Sequence, residues 1–288
     1  MRIYKLKGLH EDLQKRFEIA RQGSLKAGKE LLSLFRNKMA FEEKEDEGFV
    51  SHADLTSSDL LYNTISTSFP DDGYICEERD EEKKGSNEFV WIVDPLDGTT
   101  NFLRGNGEFS VSICLARGVY PVMGIVYAPY RNELYWAFEG KGAWAEYRFW
   151  KVRKSLNVAD MKELSNCIVE FPGGIEIIHR AKKEMELICM FYPGIRLRVS
   201  ESAALTLCKV AAGEVDAYIH PSEKSHDYAA GSVIVREAGG TVTNYLNDSM
   251  NIRKRGLLAS NETLHQKIVS LLNGNRLGSI DYWLEEKG

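Results

Sequence analysis

The sequence predicts a mixed α/β or α+β domain. Three observations lead there. An apolar run from Trp91 to Val93 reads as a buried strand. The block from Phe109 to Glu139 reads as three successive antiparallel strands, and amphipathic stretches at helical spacing lie towards both ends of the chain. At 288 residues the chain can bury a sizeable core, as one large domain or two closely joined lobes.

The elements follow in order. Leu13, Phe17, Ala20, Leu25, Leu31, Leu32 and Phe35 recur at helical spacing, interrupted by Gly23 and Gly28, which predicts one long or bent helix from Leu9 to Phe35. The acidic run Phe41 to Gly48 is expected to be a loop, and Asp54 to Phe69 a second helix ending before Pro70. A short apolar strand at Ile75 and Cys76 ends in the acidic pair Glu77 and Glu78. Strands are predicted over Phe109–Ala116, Pro121–Ala128 and Glu133–Glu139, with turns at Arg117-Gly118 and Tyr130–Asn132. A strand and helix follow from about Ser165, and Ser202 to Ala212 forms a helix closed by Gly213. Asp227 opens a further helical pattern that ends at Glu237-Ala238-Gly239-Gly240. Leu257 to Ala259 gives a short strand, and Ser260 is expected to cap a last helix running to about Leu272.

Composition narrows the function classes. Hydrophobic residues at 43% and charged residues at 27% describe an ordinary globular chain, and a net charge of −5 argues against general nucleic-acid binding. Five cysteines without a C-x-x-C pair suggest neither a disulfide framework nor a zinc site. The segment Met1 to Lys7 lacks the apolar core of a secretory signal, and no window approaches a membrane span, so a cytoplasmic location with no membrane partner is expected.

The chemistry concentrates at Trp91 to Phe102. Asp94 ends the strand, and Asp97 follows across Pro95 and Leu96. Proline fixes its own φ and restricts its predecessor, so the chain is expected to turn between the two acids and bring both carboxylates to one point. Gly98 permits close approach of backbone N–H groups to a ligand, and Thr99, Thr100 and Asn101 suit a helix start. Carboxylates facing N–H groups and hydroxyls describe a site for a hard cation and a phosphate. Glu77 with Glu78, and Asp227 at a helix start, supply further acids that repel one another unless a cation or protons neutralise them. A phosphate monoester is dianionic, so its hydrolysis needs neutralisation of the ester oxygens and an aligned water.

With these residues in view, the chain resembles the inositol monophosphatase superfamily, the lithium-sensitive, magnesium-dependent phosphomonoesterases. The resemblance rests on Glu77-Glu78, on Asp94-Pro95-Leu96-Asp97-Gly98-Thr99, on Asp227 followed by Ala229-Ala230-Gly231 and Glu237-Ala238-Gly239-Gly240, and on Val50-Ser51-His52-Ala53-Asp54. It runs from about Leu9 to about Leu272. It implies a layered αβαβα sandwich, with residues 1–150 carrying most metal ligands and 151–288 supplying the last ligand and the substrate specificity. It implies two or three Mg2+ ions: Glu77, Asp94 and the Leu96 main-chain oxygen hold the ion that binds the attacking water, and Asp94, Asp97 and Asp227 hold a second. Thr99 then orients the water with support from Asp54, while Gly98 and Thr99 offer N–H groups to the phosphate. Lys44, Asp46 and Glu47 are candidates for a further cation site. Thr100, Glu201, Ser202, Ala203, His220 and Lys224 are candidate phosphate or substrate contacts. A homodimer is implied by the habit of relatives.

Substrate choice stays open at this point. Glu201 stands where the inositol-specific pattern has glycine, His220 where it has an acid, and His226 where it has tryptophan. The alternatives to inositol 1-phosphate or a similar sugar or polyol phosphate are PAP, resembled through Phe102 to Pro129, and fructose 1,6-bisphosphate, resembled through Pro221 to Asp227 with Lys224 as a second phosphate contact. A catalytically idle, protein-binding member of the superfamily is the alternative from another class.

Overall fold

A computed structural model of the chain describes residues 11–35, 41–44, 48–79, 82–172, 186, 189, 194–220, 224–244 and 247–274. The helix α1 (Glu11–Leu34) and the helix α2 (His52–Ser68) match the helices expected over Leu9–Phe35 and Asp54–Phe69. Between them, β1 (Phe41–Lys44) and β2 (Gly48–Ser51) pair as an antiparallel ribbon where a loop was expected. Strand pairing of the backbone there overrides an acidic composition that disfavours strands. The expected cation ligands Asp46 and Glu47 lie outside the described residues, as does the side chain of Lys44.

Seven strands form the first sheet in sequence order: β3 (Gly73–Cys76), β4 (Phe89–Asp97), β5 (Ser110–Arg117), β6 (Tyr120–Ala128), β7 (Glu133–Phe138), β8 (Ala143–Tyr147) and β9 (Val152–Ser155). β3 and β4 are parallel and the other neighbours antiparallel. The last two strands were not foreseen. After the short helix α3 (Thr99–Leu103), a second sheet follows in the second half of the chain. Its order is β11-β10-β12-β14-β13, from β10 (Ile168–Pro172), β11 (Arg196–Ser200), β12 (Ala217–His220), β13 (Thr241–Thr243) and β14 (Leu257–Ser260). The helix expected after β10 falls mostly outside the described residues.

Alternation along the strands builds the layers. In β4, Trp91 and Val93 join a core with Phe17, Leu31 and Leu61 of α1 and α2, whereas Ile92 faces a core with α4 (Ala203–Ala211) and α5 (Ser225–Glu237). That middle core also takes Tyr218, Leu257 and Ala259 from one face of the second sheet. The other face buries Ala217, Ile219 and Leu258 against α6 (Glu262–Gly274). The order is helices, seven-stranded sheet, helices, five-stranded sheet, helix. Both sheets are covered on both faces, which is why their central strands read as continuous apolar runs. α6 is capped by Asn261, whose Oδ1 accepts the Leu264 N–H at 2.9 Å, and not by Ser260.

α5 lies between the sheets at close range. A Cβ on Gly124 of β6 would stand 2.2 Å from the Ala230 carbonyl oxygen, and one on Gly231 would stand 2.5 Å from Leu207 of α4. The far end of α5 is fixed by Glu237, whose carboxylate accepts the N–H groups of Gly140, Lys141 and Gly142 at 2.8, 3.0 and 2.8 Å. The acid of the Glu-Ala-Gly-Gly segment thus ties α5 to the β7–β8 turn. Small residues set the depth of α5, and Asp227 at its start moves with it. Gly124→Ala should therefore cost about 1–3 kcal/mol of stability and weaken divalent-cation binding as well. Thermal unfolding with and without MgCl2 checks this, and a variant of wild-type stability and cation response contradicts it.

Candidate active site

The Asp-Pro-Leu-Asp segment works by a different device from the turn expected of it. β4 continues through Pro95 to Asp97, and its pairing with β5 shifts between Asp94↔Ser112 and Asp97↔Ser110. Three residue steps on β4 face two on β5, the signature of a bulge. In a regular strand, residues three apart point to opposite faces. The extra residue turns Asp97 to the face of Asp94, the face whose β5 neighbours Ser110 and Ser112 look towards α4 and α5. Proline is tolerated because a bulge leaves a ladder donor unused, and Ser57 Oγ of α2 donates to the Pro95 carbonyl at 2.8 Å.

Gly98 follows with φ of +90°, a conformation costly for any other residue, and a Cβ there would lie 2.9 Å from the Glu108 carbonyl oxygen. It starts α3, whose first described backbone bond runs from Phe102 N–H to Gly98 O. Thr99 Oγ1 sits 3.0 Å from Asp54 Oδ1 and 3.1 Å from Leu96 O, which brings buried Asp54 of α2 beside Thr99.

The acids converge from the end of β3, from β4 and from α5. Glu77 continues the β3–β4 pairing by one residue, its N–H donating to Val93 O at 3.2 Å. Asp94 is buried, with Oδ1 accepting the Leu96 N–H at 2.9 Å. Asp227 lies in the first turn of α5, where its Oδ2 accepts the Lys224 N–H at 3.1 Å. Burial first, and then the carboxylates of Glu77, Asp97 and Asp227, hold the Asp94 carboxyl well above its usual range. Burial likewise pushes Asp97 up to about 6, against the pull of its donors. Those donors are Ser110 Oγ at 2.8 Å, Ala203 N–H at 3.0 Å and a short contact from Ser202 Oγ. Asp97 thereby joins β4 and β5 to the start of α4, and Ser202 and Ala203, expected at the substrate, are bound to Asp97.

The other expected residues scatter. Glu78 stays outside the tight group formed by Glu77, Asp227 and His226, whose ligating atoms lie within 4.8 Å of one another. Glu201 is exposed, although its main-chain oxygen approaches Gly98. Thr100 is half-buried in α3, and His220 ends β12 with its ring 6.1 Å from that of Tyr218. Lys224 is half-buried at the start of α5, while Pro221, Ser222 and Glu223 lie outside the described residues. Ser110 was missed as a site residue. Its signal was a serine pair, Ser110 and Ser112, alternating on one face of an otherwise apolar strand.

Buried carboxylates that raise one another's pKa form a donor set suited to a hard divalent cation. An acid whose pKa is raised on folding lends stability only while protonated; for Asp97 that contribution is complete below about pH 4, the unfolded value, and is lost as pH rises through about 6. Chelated protein should lose stability across that window, and MgCl2 should raise Tm more at pH 7.5 than at pH 5. Melting curves at both pH values decide it. An equal cation effect at the two pH values contradicts the crowded-carboxylate account.

Comparison with known proteins agrees with this geometry. The sequence model of the inositol monophosphatase family matches residues 12–276. A fructose-1,6-bisphosphatase/inositol-1-monophosphatase of Aquifex aeolicus is 33% identical over 270 residues, covering 91% of this chain and 96% of that protein. The Nus factor SuhB of Pasteurella multocida is 31% identical over 265 residues, covering 88% and 93%. The crystal structure of extragenic suppressor protein suhB from Bartonella henselae superposes with a TM-score of 0.81 at 30% identity, covering 89% and 97%. Among the described residues, no helix is long and apolar enough to cross a membrane. The fold, the convergent acids and these matches lead to one statement: the chain belongs to the inositol monophosphatase family, whose members are generally metal-dependent phosphatases.

Proposed function

We propose that this chain is a magnesium-dependent phosphomonoesterase acting on inositol 1-phosphate or a similar sugar or polyol phosphate. The observation that carries the reading is the gathering of Glu77, Asp94, Asp97 and Asp227 at one point beside Gly98 and Thr99. Glu77, Asp94, the Leu96 carbonyl, Asp97 and Asp227 would hold two or three Mg2+ ions. Residues 1–150 would supply most of these ligands, and residues 151–288 would supply Asp227 and the substrate contacts. Divalent cations, when bound, supply the positive charge that a dianionic ester requires and make a water acidic enough to attack.

The side chains have separate tasks. Asp54 accepts the Thr99 hydroxyl proton, which leaves the Thr99 oxygen lone pairs to accept a hydrogen from water and fix the direction of attack. Gly98, with no side chain in the way, lets the Gly98 and Thr99 N–H groups approach the phosphate oxygens. Asp97 has one free lone-pair direction beyond its three donors, so Ser110, Ser202 and Ala203 would aim it without filling it.

A second phosphate is a specific variation. The Aquifex aeolicus relative is named for fructose-1,6-bisphosphatase as well as inositol-1-monophosphatase activity, and Lys224 stands three residues before Asp227 as a cationic contact for a second phosphate. A regulatory role without catalysis is supported by the name of the Pasteurella relative, Nus factor SuhB. Filled acid positions favour the enzyme.

Phosphate release from inositol 1-phosphate, fructose 1,6-bisphosphate, PAP and glycerol 2-phosphate, each with Mg2+ and with chelator, tests the proposal. Mg2+-dependent turnover, greatest on inositol 1-phosphate, is expected; activity that survives chelation contradicts it, and a tenfold or greater preference for PAP, about 1.4 kcal/mol of discrimination, moves the substrate. Asp97→Asn should remove most turnover with the fold intact. Thr99→Ala should lower kcat by about 100-fold with little change in KM, and an unaltered kcat removes Thr99 from the water-orienting role.

A further inference from the structure

Among the described residues, the group of ligating side chains at the acid cage contains one donor that is not an oxygen. His226 occupies the second residue of α5, immediately before Asp227, and its side chain is 11% exposed. Its Nε2 lies 3.4 Å from Asp227 Oδ1 and 3.9 Å from Glu77 Oε1. Both separations exceed the roughly 2.7–3.2 Å of an ordinary N–H···O bond. They suit atoms sharing one ion: two ligands about 2.1 Å from a cation sit about 3.0–3.4 Å apart at right or tetrahedral angles and at most about 4.2 Å apart. The resemblance places a tryptophan here, a side chain that donates but has no lone pair to give a metal.

We propose that His226 is a nitrogen ligand to the cation held by Glu77 and Asp227, and that this position takes a transition metal such as Mn2+, Co2+ or Zn2+ in preference to Mg2+. Imidazole suits the later divalent metals, whereas carboxylate and carbonyl oxygens suit Mg2+. The neighbouring position, bounded by Asp94 and Asp97, offers only oxygens and remains suited to Mg2+. The inference rests on the metal-dependent reading above and changes it in two respects: Glu77 and Asp227, which the resemblance gives to different ions, share one, and that ion is not Mg2+.

Pulsed electron paramagnetic resonance of Mn2+ added to the chelator-stripped full chain tests it without an activity assay. The wild type should show 14N modulation from a coordinated imidazole, and the pattern should change to that of 15N when the protein is labelled with 15N-histidine. In His226→Gln the modulation should vanish while Mn2+ still binds, and Zn2+ should lose much of its advantage over Mg2+ in displacing Mn2+. The isotope experiment needs no variant, so a poorly folded His226→Gln leaves the inference open to refutation. Bound Mn2+ without histidine modulation in the wild type, or modulation that survives in His226→Gln, overturns the inference and leaves the metal-dependent reading standing. Failure of Mn2+, Zn2+ and Mg2+ alike to bind overturns both.

Discussion

The mutual repulsion of buried carboxylates is the constraint around which this chain is built. Asp94 and Asp97 are both buried, and Asp94 also feels Glu77 and Asp227. Like charges at short range in a poorly solvated place are costly, and the molecule has three ways to relieve them: protons, internal donors or a cation. Asp97 shows the second solution, with two hydroxyls and a backbone N–H directed at it. Asp94 accepts a single described backbone bond, so protons or a cation must relieve it.

The scaffold exists to hold that crowding in place. A bulge at Pro95 puts two acids of one strand on one face. Close contact at Gly124 and Gly231 sets the depth of α5 and hence of Asp227, and Glu237 fixes the other end of the same helix. Farther away, Arg16 of α1 and Asp72 form a two-point buried ion pair at 2.9 and 3.2 Å, with Trp91 Nε1 donating to the same carboxylate at 2.9 Å. That pair ties α1 to the strand carrying the first ligands, and its charges are compensated, as buried charges must be.

Much of this was legible in the sequence because the signals were local. Helical spacing in α1 and the apolar run of β4 follow from side-chain periodicity, whereas the order of the acids was read through the family resemblance. The first helix and the three central strands were read correctly from that periodicity. What escaped depends on pairing across distance. Phe41–Lys44 is a strand only because Gly48–Ser51 lies beside it, and β8 and β9 extend a sheet whose edge the sequence does not mark. The two acids meet through a bulge and not through a turn, since a proline restricts the backbone equally in either case, and only the register with Ser110 and Ser112 separates the two. The resemblance placed Ser202 and Ala203 at the substrate, and their contact with Asp97, 105 and 106 residues away in sequence, leaves no local signal.

The buried carboxylates make the position of positive charge decisive. The most direct measurement is an anomalous-scattering map from crystals of the protein grown with Mn2+ at neutral pH. It should show ion density between Glu77, Asp94 and Asp227, with the carboxylates turned inwards on it. Ordered side chains in the arrangement described here, with no anomalous peak among them at saturating Mn2+, would contradict the account.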